Sequence, residues 1–438
     1  MPIVLGSSYA GPPVQSITLA DSVQLDSFGR LRVSSPTTLF DSQQEYGLDT
    51  LRMWDAAASN GSPVLSYTTR STNGSVVSGA NSVGPTNADT RMTPLTVSSN
   101  NGDYAILQSR QYVRYIPGKG HLIFITGIFA PGANADVSIV LRTDTSGIPV
   151  DNIIERDSWN VDKFDGLGPS GVTLDFTKTQ ILVIQAQWLG VGRVIVGFDV
   201  DGNIYPAHAF KNANIQVVPY TQTFNLPVRL ETRNAAGSII SRVGYFDADN
   251  GVFLETIKAQ AGGTIQFVCC SVQSEGGVAV RGFTRGASNG ITSIGVTTRR
   301  PILSIRNAAT FNSIINRSHI ELADIAFSSA TNSAFWELVL GGTLTGASWA
   351  SAGTDSAAER DIAATAITGG IVLSAGFSIA GSGSTRQTVS TNPDIRNPLT
   401  ISKIDGLATT QIPISLVCTS FSGTSNTTAA INWFEQTI

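Results

Sequence analysis

The sequence predicts an all-β protein: two β-sandwich, jelly-roll-like domains preceded by an extended N-terminal arm. Three observations predict it. Nearly every apolar stretch is short, β-branched and bounded by Gly, Asn, Asp, Ser or Pro. Turn signals recur roughly every ten residues, the spacing of a sandwich or barrel. No segment sustains a 3.6-residue apolar period.

Residues 1–53 read as the arm, because their apolar residues are isolated. Within them "DSFGRLRVS" predicts a small hairpin turning at Phe28-Gly29. The main sandwich is placed at 54–298. It opens with a stretch rich in Ser, Thr, Asn and Gly from Trp54 to about Pro94, read as exposed loop or edge strand. Strands follow in "HLIFITGIF" from His121, "ADVSIVLRT" from Ala135, "QILVIQAQWLG" from Gln180, "RVIVGFDV" from Arg193 and "GTIQFVCCSV" from Gly263. "GRVIVGFDVDGNIY" (Gly192 to Tyr205) and "SRVGYFDADNGVFLE" (Ser241 to Glu255) each pass through an Asp-rich glycine turn and read as β-hairpins. The punctuation "TTRRP" sets the start of a second sandwich at 299–438. The best helical candidate there, "SAAERDIAATAI" from Ser356, fits a loop and strand equally well.

Composition narrows the function classes. Of 438 residues only 14% are charged, against about 25% in a typical soluble domain, and the formal net charge is −4. That balance offers no general attraction to a phosphate backbone, so nucleic acid is not an expected partner. The basic residues are mostly arginine, which is favoured over lysine where proteins contact copies of themselves or partners. Three cysteines, with Cys269 and Cys270 adjacent, make no disulfide framework; in a strand these two point to opposite faces, one buried and one half-buried. The N-terminus has no signal-peptide pattern and no run is apolar enough to cross a membrane as a helix, so no membrane insertion is expected.

Several motifs have the residue types of reactive or binding sites, and each also has a plainer structural explanation. "GLGPSG" (Gly166 to Gly171) has the spacing of a dinucleotide-binding turn, but polar residues precede it, a strand pattern follows and Pro169 interrupts it. It is expected to be a tight exposed corner. "DADNGVFLE" offers Asp247, Asp249, Asn250 and Glu255, yet departs from the spacing of a calcium loop and suits a hairpin turn. His121, His208 and His319 stand apart from one another, and no G-x-S-x-G elbow is present. The carboxylate pairs Asp162/Asp165, Asp199/Asp201 and Asp247/Asp249 are the candidates for glycoside hydrolysis, and each sits in an expected turn where a solvated acid keeps its ordinary pKa. No catalytic, metal or cofactor site is therefore assigned. Trp188 reads as core, and Trp349 in "TGASWASAG" is the one candidate surface-contact residue.

Four stretches carry a resemblance: "LDSFGRLRVSSPTTLFDSQQEYG", "YVRYIPGKGHLIFITG", the run from Ser158 to Asn214 and "TFNLPVRLETRN". They resemble a family of tailed-bacteriophage virion structural proteins, over roughly the first 300 residues and more loosely beyond. One departure is visible, since the "RVGYFDADNGVFLE" hairpin here follows "LETRN" instead of preceding "SWNVDKFDG". The resemblance implies a non-enzymatic particle protein. Its expected partners are copies of itself, other tail or capsid proteins and a host cell-surface receptor or glycan. Its expected place is the tail, as sheath or appendage; capsid decoration, or a tail-associated polysaccharide-binding protein or depolymerase, are the alternatives. Incubation with host capsule or lipopolysaccharide is expected to release no new reducing ends; a saturable release would make the structural account insufficient.

Overall fold

Alternation of buried and exposed positions along short strands gives two flat apolar faces that must be covered, and the chain covers them by pairing sheets. The computed structural model describes residues 92–109, 112–113, 115–116, 118–145, 147–274, 282–312, 314–316, 318–380 and 411–436, together with strand residues 24–25, 31–32, 43–49, 67–71, 82–83, 389–390, 403–404 and 407–408. Contacts divide the chain into two units, Met1–Ser42 and Gln43–Ile438. In the first, Gln24–Leu25 pairs antiparallel with Leu31–Arg32; the expected turn at Phe28-Gly29 lies outside the described residues. The remainder of the predicted arm up to Ser42 lies outside the described residues.

Twelve strands build the first sandwich: β1 (Thr93–Val97), β2 (Tyr104–Ser109), β3 (His121–Ile128), β4 (Asp136–Thr143), β5 (Val150–Glu155), β6 (Gln180–Ala186), β7 (Val194–Val200), β8 (Asn203–Phe210), β9 (Val228–Ala235), β10 (Ser238–Phe246), β11 (Gly251–Ala259) and β12 (Gly263–Ser274). One sheet runs β8-β7-β6-β3-β12-β1, and the facing one runs β5-β4-β11-β10-β9-β2. Every pairing is antiparallel. Hairpin β7-β8 extends the first sheet at one edge, and β9-β10 lies between β2 and β11 in the second. Ser82–Val83 and Tyr67–Ser71 form the outer edges beyond β1 and β2, in the stretch read as exposed loop or edge strand.

The inner faces interdigitate in one core. Leu95, Ile123, Ile125, Leu182, Val196, Phe198, Ile265 and Phe267 come from the first sheet, and Leu107, Ile139, Leu230, Val243, Tyr245 and Leu254 from the second. Both predicted hairpins are present, β7-β8 turning at Asp201-Gly202 and β10-β11 turning at 247–250. Asp201 and Gly202 have φ of 54° and 82°, which Gly supplies freely and Asp tolerates.

The second sandwich has its own core, centred on Trp336 and Trp433 with Leu303, Ile305, Ile325, Leu338, Leu416 and Ile431. Its strands are β13 (Phe283–Ser288), β14 (Ile294–Val296), β15 (Arg300–Asn307), β16 (His319–Ser329), β17 (Ala334–Leu340), β18 (Ala358–Asp361), β19 (Ile371–Ser378), β20 (Ile414–Ser420) and β21 (Ser425–Gln436). One sheet runs β18-β15-β20-β17-β19 and the other β13-β21-β16, with β14 also on β21. The "SAAERDIAATAI" segment therefore supplies strand β18 and no helix.

Two expected boundaries need correction. Gln43–Asp49, assigned to the arm, pairs with β12 from Ser274 to Cys269 and so extends the first sheet. Strands β13 and β14, assigned to the middle domain, pair with β21 in the second sandwich. The misleading signal was Pro301, which reads as punctuation but sits inside β15 at a register shift, a position where proline is tolerated in a sheet.

The outer face of the second sheet is unusual for a sandwich, because charges lie buried on it. Glu231 on β9 is 2% exposed, as is Arg229 beside it. Arg229 donates Nε and Nη2 to Glu231 Oε2 at 2.9 and 2.6 Å. Arg233 Nε and Arg242 Nη1 donate to Oε1 at 3.3 and 3.1 Å. Arg242 continues to Glu255 at 2.7 Å, and at the sheet edge Arg142 grips Asp151 through Nε and Nη2 at 2.7 and 2.9 Å. Burial raises the Glu231 pKa, but the arginines outweigh it and hold the carboxyl at about 2, against 4.5 for the free side chain.

Glu231 thus contributes stability that is complete above about pH 4.5 and lost as pH falls towards 2, about 3 kcal/mol over the interval. Glu231→Gln is expected to flatten the pH dependence of urea unfolding between pH 5 and 2. Glu231→Ala at neutral pH should cost about 3–5 kcal/mol, because it strands buried guanidinium charge.

Candidate binding cleft

The candidate site lies on the outer face of the β18-β15-β20-β17-β19 sheet. A two-stranded ribbon, Thr343–Thr345 with Ala366–Thr368, folds over this face, its strands separated in the chain by the segment that carries Trp349 and β18. It packs Leu344 and Ile367 on Val339 and Val417. The chain enters it through Gly341, at φ 76°, whose N–H donates to the Pro413 carbonyl at 2.9 Å. Gly342 has no room for a side chain, since a Cβ there would meet Ile367 Cδ1 at 2.5 Å.

Beside this ribbon a cleft of about 320 Å³ remains, walled by Trp349, Leu344, Ile412 and Pro413 with Arg306 and Gln411 as its charged and amide members. Trp349, the candidate surface-contact residue, is half-buried in the wall of this cleft. The reason is a side chain from β15: the Arg306 guanidinium lies 4.1 Å from the indole centroid. Arg306 Nε also donates to Oε2 of Glu359, its cross-strand partner on β18, at 2.8 Å, and Nη2 reaches the same oxygen at 2.8 Å. Gln411 donates Nε2 to the Asn307 carbonyl at 2.7 Å.

Asp361 holds Trp349 in place. This buried carboxylate accepts the N–H of Ser348 at 2.7 Å, next to Trp349, and those of Ala363 and Ala364 at 3.1 Å each. Sequence reasoning found Trp349 but not Arg306, Asp361 or Gln411. An acid followed by small residues in "ERDIAATA" is the local signal for a loop-capping carboxylate, whereas the Arg306 contact depends on residues 43 positions apart in sequence being brought together, and no spacing rule reports it.

The other sequence candidates serve structure. "GLGPSG" is a corner wrapped round Asp162, whose Oδ1 and Oδ2 accept the N–H of Phe164 and Ser170 at 2.7 Å each. Gly168 is required there, because a Cβ would overlap the carboxylate at 2.2 Å. Asp162 is buried, which corrects the expectation of a solvated acid. Burial raises its pKa, and the hydrogen bonds from Ser170 and Phe164 lower it by more, so the net direction is down, the wrong way for a general acid. Asp165 accepts the Leu167 N–H, and Asp199 accepts the Gly202 N–H.

Asp247 is also buried, and its Oδ1 accepts the N–H of Asp249 and Asn250, while Asn250 Nδ2 donates to Asp144 at 3.0 Å. Glu255 is bound to Arg242, away from that turn. His121 sits in the first core against the Tyr245 hydroxyl at 3.1 Å, and His208 accepts from the Asn160 N–H, its pKa lowered by burial. His319 begins β16. Among the described residues no three acids, histidines or cysteines gather as a metal site. Cys270 is buried and Cys269 half-buried, while burial pushes the Cys418 thiol up to about 12.

No protein-family model matches the chain, and no curated protein matches it. Among solved structures, a lectin from Bauhinia forficata in complex with GalNAc aligns over 54% of this chain and 98% of its own, at 10% identity and a TM-score of 0.15. So loose a superposition carries no argument about fold or ligand.

Asp361→Ala is expected to lower unfolding stability by about 1–3 kcal/mol, since it leaves buried N–H groups without acceptors. Tryptophan emission should shift with it, as the Trp349 loop detaches. An unchanged spectrum together with an unchanged denaturation midpoint would contradict the anchoring role.

Proposed function

We propose that the chain is a non-enzymatic structural component of a tailed-bacteriophage virion. In this reading it assembles as a symmetric homo-oligomer on the tail, as sheath or appendage, placed to contact a host receptor. The observation that carries the reading is an exposed aliphatic patch at one end of the first sandwich. Ile148, Leu189, Ile215, Val217 and Val218 are exposed, Val217 to 96%. They come from three separate connections that are tied to one another. Thr145 Oγ1 donates to the Pro219 carbonyl at 2.6 Å, the Tyr220 N–H to the Gly190 carbonyl at 3.0 Å, and the Gln222 N–H to Asp144 at 2.8 Å.

An apolar patch held in shape by internal hydrogen bonds suits a partner surface better than a solvent face. Fully burying one such side chain is worth about 1.5–3 kcal/mol, and a two-fold contact buries the set twice. That is on the scale of the roughly 4–15 kcal/mol that association costs. A second exposed cluster, Phe377 and Phe421 with ring centroids 5.8 Å apart and Ile379 nearby in sequence, offers a further contact with a neighbouring particle protein. The resemblance of the first 300 or so residues to phage particle proteins supports the same reading.

Sedimentation of the purified chain should show one closed oligomer, and density for it in intact particles should follow tail symmetry. Ile148→Asp with Val217→Asp should dissociate the oligomer while leaving the melting profile of the protomer in place. A monomer persisting at about 100 μM would overturn self-assembly through this patch.

A further inference from the structure

We infer that the Trp349 cleft is a binding site for one or two rings of a neutral saccharide. This inference does not depend on the particle reading, because it rests on the cleft alone. A sugar ring has a C–H face that packs on flat apolar surface and an edge of hydroxyls that need both donors and acceptors. The cleft presents both. Trp349, Leu344 and Pro413 supply the flat apolar wall. Beside that wall, with its guanidinium 4.1 Å from the indole centroid, Arg306 keeps Nη1 without an acceptor among the described residues, and Gln411 Oε1 is without a donor, since their remaining polar atoms go to Glu359 and Asn307. Thr343 adds a hydroxyl.

Charge selects a neutral ligand. Glu359 sits 2.8 Å from the guanidinium and cancels it, so an anionic group entering the cleft meets a compensated pair. Size agrees: a cleft of about 320 Å³ is at the small end of ligand sites, which span roughly 300–1,000 Å³. The wall is also fixed before any ligand arrives. Arg306 lies over the indole, Asp361 pins the preceding residue, and the Gly341 N–H ties the entry to the ribbon to Pro413. A preformed platform loses little freedom on binding, which is how a weakly attracted, strongly hydrated ligand can be held at all.

The test is ligand-observed NMR and calorimetry on the full chain with a panel of neutral hexoses, N-acetylhexosamines and their disaccharides, the corresponding uronic acids, and adenosine as a flat aromatic control. At least one neutral saccharide is expected to bind with Kd near 1 mM or below, with a change in tryptophan emission. Trp349→Ala should weaken that binding about tenfold or more, the scale of losing an aromatic anchor. Should that variant fail to fold, Ala347→Trp, at a small residue that also lines the cleft and so fills it without deleting its wall, is expected to abolish binding. Absence of binding by every neutral saccharide at about 10 mM would overturn the inference. So would binding that survives filling of the cleft, or a preference for uronic acids or adenosine.

Discussion

Glu231 is a carboxylate on a face of a sheet where almost no water reaches, and it is tolerable there only because three guanidinium groups converge on it. The convergence needs strands β9 and β10 in one particular register, with Glu231 opposite Arg242, and Arg242 in turn opposite Glu255 on β11. A slip of one residue would turn every one of these charges into the apolar core and bring the core residues out. The ladder thus discriminates between registers more sharply than the alternating apolar residues do. Aromatic rings complete it, with Arg142 and Arg242 both over Phe253 and Arg229 over Phe246.

The same economy of charge runs through the rest of the protein. A chain with few ionised side chains uses many of them internally, as acceptors for backbone N–H groups in tight corners. Asp162 organises the "GLGPSG" corner, Asp247 the β10-β11 turn and Asp361 the approach to Trp349. At Asp162 the donors around the carboxylate outweigh its burial and lower its pKa, which makes it a good structural anchor and a poor proton donor. Acceptance of backbone N–H groups is the physical reason that residues resembling calcium ligands and glycosidase acids in the sequence act as turn caps in the structure.

Although several charges are buried, others remain exposed, and the surface also carries aliphatic and aromatic patches and the Trp349 cleft. The aliphatic patch and the cleft sit on different sandwiches, whereas the Phe377–Phe421 cluster shares the second sandwich with the cleft. The aliphatic patch belongs to connections of the first, while the cleft is built on the second by a two-stranded ribbon folded over an outer sheet face.

The sequence by itself determined the class of fold, both hairpins, the corner at "GLGPSG" and the opposed faces of Cys269 and Cys270, because each depends on alternation or on the backbone demands of neighbouring residues. What it could not determine is anything set by residues distant along the chain. Which of the two cysteines faces the core is decided by a register shift in β12 between Phe267 and Cys269, which turns Cys270 inward after Ile265 and Phe267. Where the sandwiches divide is decided by β13 and β14 finding β21 at the far end of the chain. Trp349 was legible as a candidate, but its setting was not, since Arg306, Asp361 and Gln411 reach it from separate strands and loops. Local propensity is written in neighbouring residues, whereas a buried charge or a cleft wall is specified only once sheet pairing has chosen its partners.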